Sequence, residues 1–193
     1  MSGEAYKMPG IFVAVVGPSG AGKDSILRGA AAQLSGDDRV HFVRRMVTRI
    51  ANADEDHDSV TEAEFASMAE ANGFAVHWQA NGLRYGIAAS VHDKLAQGLI
   101  VIANASRAIS PQIKALFSRC LIVHITASEA VLSHRLEVRG REETRQREER
   151  LARSKALEQE FDADIRIENN YELEDAIRQF VGAILALQSS KAK

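Results

Sequence analysis

Residues 11–25 read Ile11-Phe-Val-Ala-Val-Val16-Gly17-Pro18-Ser19-Gly20-Ala21-Gly22-Lys23-Asp24-Ser25. The run Ile11–Val16 has no polar side chain to turn toward water, which predicts a strand buried on both faces. It delivers the chain directly into Gly-x-x-x-x-Gly-Lys, and an Ala-rich helical stretch follows over residues 25–34. Glycines let backbone N–H groups converge on an anion with no Cβ in the way. The N-terminus of the next helix adds partial positive charge, and the Lys23 ammonium can reach the outer phosphates of a triphosphate. A glycine turn that merely joins strand to helix has no need of the lysine. The segment therefore points to a nucleoside triphosphate held by Gly17, Pro18, Ser19, Gly20, Ala21, Gly22, Lys23, Asp24 and Ser25.

One position departs from the usual pattern. Such loops place Ser or Thr after the lysine, where the hydroxyl binds Mg²⁺; here Asp24 stands there, with Ser25 one further on. A carboxylate is a hard oxygen ligand, so Asp24 is the candidate metal residue and the Ser25 hydroxyl the alternative.

Working outward, β-like runs alternate with helical stretches. Strands are expected at residues 40–48, 74–79, 99–103, 120–125 and 164–167. Helices are expected at 61–72, 91–97, 110–117, 128–138, 142–159 and 171–187. Thr61 with Glu64 forms a capping box, Gly73 and Gly98 act as stops, Ser128 is a cap, and Asn81-Gly82 is a turn. The alternation predicts an α/β fold of the P-loop NTPase type, a parallel sheet flanked by helices. Residues 40–86 and 139–153 are more polar and less regular, which suggests subdomains inserted into the core. One domain is expected over residues 10–187. Its core would be 10–36, 87–138 and 160–187, with an acceptor-binding insertion at about 37–86 and a lid at about 139–153. Residues 1–9 and 188–193 read as loose tails.

The 193-residue length suits a single domain that can bury its own core. The net charge of -2 gives no global basic field for nucleic acid. The one cysteine, Cys120, lies in an apolar run and reads as a small buried hydrophobe; without a second cysteine no internal disulfide forms, which fits a reducing cytoplasm. No apolar run approaches the length of a membrane span, and residues 1–9 lack the core of a signal peptide.

Basic residues cluster late in the chain, as Arg135-Leu-Glu-Val-Arg139-Gly140-Arg141 followed by Arg145, Arg147, Arg150 and Arg153. Arg135 and Arg139 share a helix face, and Gly140 breaks the run. Arginine suits bidentate phosphate contacts and neutralises charge during phosphoryl transfer. Interleaved Glu142, Glu143, Glu148 and Glu149 make Arg145 and Arg147 read as a solvated face. Arg135, Arg139, Arg141 and Arg150 are the catalytic candidates alongside Lys23.

Loop and arginines together resemble the guanylate kinase-like branch of nucleoside monophosphate kinases over roughly residues 11–181. Further landmarks are Thr48-Arg49, Asn81-Gly-Leu-Arg-Tyr85-Gly86, Arg150-Leu-Ala and Glu168-Asn169-Asn170. The resemblance implies Mg-ATP as donor and a phosphate as acceptor, seated in the first insertion. The departures are informative. The second arginine of a Thr-Arg-x-Pro-Arg segment is missing from Thr48-Arg-Ile-Ala-Asn52; Asp58 stands in place of an acceptor-contacting Tyr; Asn104 stands in place of an acidic residue near the metal. Val76 aligns with the Glu that reads guanine, and valine cannot accept hydrogen bonds from the guanine N1–H and N2–H₂.

With guanine recognition lost and phosphate recognition kept, the chain resembles a narrower family, the ribose 1,5-bisphosphate phosphokinases. The likeness rests on Gly17-Pro-Ser-Gly-x-Gly-Lys-Asp-Ser25, Arg45-x-x-Thr48-Arg49, His57, Trp78-x-Ala-Asn-Gly-Leu-x-Tyr85-Gly86 and Asn104-x-Ser-Arg107-Ala. It implies ATP-dependent conversion of ribose 1,5-bisphosphate to 5-phosphoribosyl 1-diphosphate, within phosphonate degradation. Because the acceptor is an anion at both ends, Arg45, Arg49 and Arg107 are the substrate-binding candidates, with Tyr85 and Asn104 as hydrogen-bonding partners. Arg45 could instead pair a carboxylate, Tyr85 could be ordinary packing, Trp78 could be a cleft wall or stack on the sugar, and His57 could be a metal ligand or a solvated residue in an acidic loop. The expected partners are a small phosphorylated sugar, with neither nucleic acid nor membrane, and the chain as monomer or homodimer. Two rivals remain: a guanylate or other nucleoside monophosphate kinase, and a non-catalytic guanylate kinase-like binding module. The module reading sits badly with an intact loop, since such modules tend to lose it.

Overall fold

The computed structural model describes residues 9–50, 56–139 and 161–189, with Arg139 as backbone only. The helix expected over 142–159, Arg141, Arg150 and the Arg139 side chain lie outside that description. The elements are β1 (Ile11–Val16), α1 (Lys23–Gln33), β2 (Val40–Val43), β3 (Arg45–Val47), β4 (His57–Ser59), α2 (Glu62–Glu70), β5 (Phe74–Ala80) and β6 (Leu83–Ala88). They continue with α3 (Val91–Ala96), β7 (Ile100–Asn104), α4 (Ser110–Leu116), β8 (Cys120–Thr126), α5 (Glu129–Arg139), β9 (Ile165–Glu168) and α6 (Leu173–Ser189). One 3₁₀ turn, Arg107–Ile109, precedes α4.

Five strands form a central sheet in the order β2-β7-β1-β8-β9, with every neighbouring pair parallel. All six residues of β1 are buried. Their alternation feeds two apolar layers. Val13 and Val15 join Ile26 and Ala30 of α1 with Ile177, Phe180 and Ile184 of α6. Phe12, Ala14 and Val16 face the other way, with Val91 of α3, Ile113 of α4 and Phe117. Phe12 and Phe117 stack with centroids 4.0 Å apart. Burying a side chain of this size contributes about 1.5–3 kcal/mol, which is why this run holds the sheet's centre and not its edge.

A second sheet has the order β4-β3-β6-β5. β3 and β4 are parallel, and the other pairs are antiparallel. The β5–β6 hairpin turns at Asn81 (φ 51°) and Gly82 (φ 73°), the positive-φ pair of a type I′ turn. On one face α2 covers the sheet, with Phe65 stacked on Phe74 at 4.5 Å. On the other face Val76 and Ile87 join the second apolar layer, so this sheet is packed onto the core.

Several expectations hold closely. The Thr61 capping box is present, with the Glu64 N–H donating to Thr61 Oγ1 at 3.1 Å and the Thr61 N–H to Glu64 Oε2 at 2.7 Å. Others change. The single strand expected over residues 40–48 is two strands in two sheets: β2 pairs β7, while β3 pairs β4 and β6. The switch falls at Arg44, whose exposed guanidinium reaches Asp56 and Asp58 beside β4. β4 and β6 carry no apolar run and are strands because partners pair with them. The residue that leaves α2 in the left-handed conformation is Asn72 (φ 53°), not Gly73. Gln188 is no loose tail: it ends α6 with Nε2 donating to Asp37 Oδ2 at 2.7 Å. Cys120 is half-buried, and burial, with Asp164 nearby, pushes its thiol up to about 11, so it is an unreactive thiol. No described helix is long and apolar enough to cross a membrane.

Candidate active site

Of the residues singled out in the sequence, the glycine loop, Asn104 and Arg107 lie at the C-terminal ends of the parallel strands, the edge where open α/β sheets bind ligands. β1 ends at the glycine loop, β7 at Asn104 with Arg107 in the turn beyond, and β9 just before Asn169. β2 ends immediately before Arg44 and Arg45.

The loop holds its shape through backbone conformations that side chains resist. Gly17, Gly20 and Gly22 all have positive φ (151°, 86° and 87°). A Cβ on Gly17 would meet Ile125 O at 1.9 Å, and one on Gly22 would meet Asn169 Nδ2 at 2.4 Å. Asn169 is buried, and its Nδ2 donates to Ala21 O at 2.8 Å, tying the loop to the end of β9. The sequence marks Asn169 only as a landmark; its role as a loop brace depends on β9 lying beside β8, which no local pattern announces. No side chain among the described residues caps the N-terminus of α1 at Gly22, which leaves its dipole end toward the loop. Lys23 folds back over the loop, with Nζ donating to Gly17 O and Pro18 O, each at 2.9 Å. Arg135 of α5 comes close, with Nη1 3.5 Å from Gly20 O.

Asp24 points away from the loop toward β7. Asn104 Nδ2 donates to Asp24 Oδ1 at 2.6 Å. Arg45 Nη2 lies 3.9 Å from the same oxygen. Arg45 is mostly shielded, and its buried Nε meets no acceptor among the described residues. Its guanidinium lies over the Tyr85 ring at 5.5 Å, and Tyr85 stacks on Trp78 at 5.4 Å and 9°. The three come from β3, β6 and β5, adjacent strands of the second sheet, so Tyr85 lies between Arg45 and the half-buried Trp78. Arg45 thus faces a carboxylate, and Tyr85 packs between Arg45 and Trp78.

Arg49 follows β3, and its carbonyl lies 3.2 Å from His57 Nε2. His57 is 2% exposed, which replaces the solvated reading with a buried one. Arg107 is buried, at 8% exposure, in the 3₁₀ turn that follows β7. Val76 is 2% exposed in the apolar layer, so its position cannot read a polar ligand edge.

The donor set suits a hard cation held mainly by phosphate and water. No group of three or more His, Cys, Asp or Glu side chains able to hold a metal occurs among the described residues. Asp24, however, offers a partly exposed carboxylate. Asn104 Oδ1 beside it is buried and meets no donor among the described residues. An orphaned carbonyl next to a carboxylate fits Mg²⁺, which takes one or two protein oxygens and keeps its waters.

The guanylate kinase family model matches residues 11–187. The chain is 46% identical over 173 residues to ribose 1,5-bisphosphate phosphokinase PhnN of Brucella melitensis, covering 89% of this chain and 90% of that one. It is 47% identical over 167 residues to the protein of the same name from Agrobacterium fabrum, covering 86% and 91%. Its fold is similar to the crystal structure of guanylate kinase from Anaplasma phagocytophilum, with a TM-score of 0.64 at 16% identity over 94% of this chain and 88% of that one.

Proposed function

The chain belongs to the guanylate kinase family and, within it, to the ribose 1,5-bisphosphate phosphokinases; from that premise we propose that it moves the γ-phosphoryl group of ATP onto the 1-phosphate of ribose 1,5-bisphosphate, giving 5-phosphoribosyl 1-diphosphate. The observation that carries this reading is a complete phosphate loop facing an acceptor sheet whose base-reading position, Val76, is sealed in the core. A kinase that reads guanine needs a polar group there, whereas a kinase that reads phosphate needs arginines, and Arg45 and Arg49 are present.

Residues 17–25 hold the donor: the loop amides and the N-terminus of α1 face its phosphates, and Lys23 leaves the carbonyls of Gly17 and Pro18 for the β and γ phosphates. Arg45 and Arg49 take the acceptor's two anionic ends. Tyr85 and Asn104 line the path between, and Arg107 supports the edge from below. The acceptor oxygen is already ionised, so no general base is needed and the work is alignment and charge neutralisation. Arg135, Arg139, Arg141 and Arg150 share the second task. Asp24, with Asn104 Oδ1, would hold Mg²⁺, which when bound neutralises donor phosphate charge. The protein acts in the cytoplasm on a small phosphorylated sugar.

The test is phosphorus NMR of the purified protein with Mg-ATP and either ribose 1,5-bisphosphate or GMP. A new diphosphate at C1 of the sugar with GMP untouched is expected. GDP formation with an inert sugar would overturn the reading.

A further inference from the structure

The same carboxylate serves two neighbours. Asp24 lies one residue beyond Lys23, in the first turn of the donor helix α1. Arg45 lies at the start of β3, in the acceptor sheet. Their 3.9 Å approach links the donor helix to the acceptor sheet. Asn104 fixes the carboxylate at 2.6 Å, so Asp24 has little freedom to swing away. Arg45 in turn lies over the Tyr85 ring, with its Nε buried and meeting no acceptor among the described residues. A guanidinium held this way still has donors to offer, but its charge is partly spent on Asp24.

We infer that Asp24 couples the two substrate sites: without donor it acts as the counter-charge of Arg45 and weakens acceptor binding, and when a Mg²⁺-nucleotide draws on that carboxylate, Arg45 is released to the acceptor phosphate. This inference rests on the proposed reaction for the identity of the acceptor, and on the fit of Asp24 and Asn104 to a hard cation. The physical basis is competition between two cations for one anion. Coupling between binding sites is reciprocal, so Arg45 must also weaken the hold of Asp24 on Mg²⁺. Asp24 is then a positioning residue for Arg45 as well as a metal ligand. The arrangement favours loading the donor first, which limits occupancy of the acceptor site when there is nothing to transfer.

Two variants attack the pair from opposite sides, and isothermal titration calorimetry reads both. In the nucleotide arm, a non-hydrolysable ATP analogue is titrated with Mg²⁺ and again with EDTA. The gain in affinity from Mg²⁺ should be larger in Arg45→Gln than in wild type, on the order of 10-fold. It should nearly vanish in Asp24→Asn, which keeps the oxygen that accepts from Asn104. In the acceptor arm, ribose 1,5-bisphosphate should bind wild type on the order of 10-fold more tightly with the Mg²⁺-analogue present. Asp24→Asn without nucleotide should already bind it at the tighter level, with no further gain. An unchanged Mg²⁺ gain in Arg45→Gln overturns the inference, and so does an Asp24→Asn protein that binds the acceptor no better than wild type. If one variant fails to fold, the other still decides. The nucleotide arm contains no sugar. A wild type that binds no ribose 1,5-bisphosphate while Arg45→Gln still raises the Mg²⁺ gain would sink the sugar reading and leave the coupling standing.

Discussion

The proposed donor end and the proposed acceptor end of this protein are built on different principles. The donor end is backbone: a glycine loop, the open N-terminus of α1 and a lysine, contiguous over residues 17–25 and resting on a strand with every side chain buried. The proposed acceptor end is side chains: Arg45 of β3, Arg49 just beyond that strand, Tyr85 of β6 and Trp78 of β5, on a sheet that is partly exposed. A phosphate cradle made of N–H groups needs fixed φ/ψ angles and tolerates little change. A cluster of side chains can be respecified by substitution while the strands stay put.

That contrast can be broken by experiment. The largest effect is expected from Lys23→Ala, which should lower kcat by about 10³-fold with far-UV circular dichroism unchanged, since a charge aimed at the transferring group is lost. A fall of less than about tenfold would show that the loop is not the donor site. Arg49→Ala should cost about 10–100-fold in kcat/KM for ribose 1,5-bisphosphate, in keeping with a charged hydrogen bond. ATP-analogue affinity measured by calorimetry should stay at the wild-type value, and a matching loss of nucleotide affinity would erase the division between the two ends.

Gly22→Ala and Gly86→Ala form a matched pair. At Gly22 a Cβ meets Asn169 Nδ2 at 2.4 Å on a backbone with φ 87°. The strain should cost about 1–3 kcal/mol by urea denaturation and weaken nucleotide binding. At Gly86 a Cβ meets the Phe74 ring at 2.3 Å, and that ring is already stacked on Phe65. Overpacking should cost a similar 1–3 kcal/mol, but its functional trace should be a raised KM for the acceptor alone. The smallest effect is set away from both ends. Asp37 holds Arg39 in a two-pronged contact and also accepts from Gln188, and these partners hold its carboxyl well below the usual carboxylate range. A depressed folded pKa gives stability that is full above the ordinary carboxylate pKa, near 4, and fades as pH falls below it. Asp37→Asn should therefore lose about 1 kcal/mol or less at pH 7, with the gap to wild type narrowing by pH 3 in the same urea titration.

Much of the donor end was legible because its information is local. Ile11–Val16 predicted a strand buried on both faces, which is found, and the glycine spacing marked the loop, in which Gly17, Gly20 and Gly22 adopt positive φ. The Thr61–Glu64 box and the Asn81-Gly82 turn were readable for the same reason. At the acceptor end Arg45, Arg49, Tyr85, Asn104 and Arg107 were named as residues, but their arrangement was not. Residues 40–48 read as one strand because periodicity reports burial and not the partner across the ladder. Strand β4 had no apolar pattern of its own, and His57 in an acidic loop gave no sign that it is buried against the carbonyl of Arg49.

By itself, then, the sequence determined the α/β class, the phosphate-loop motif and the likeness to a kinase family. Each depends on residues near one another in the chain, or on composition at a single site. Only the tertiary structure decided that Asp24, Asn104 and Arg45 share one oxygen, that Tyr85 lies between Arg45 and Trp78, and that Asn169 braces the loop. These contacts join positions up to 148 residues apart. Which strand lies beside which is set by how the whole core packs, and no local periodicity carries that information.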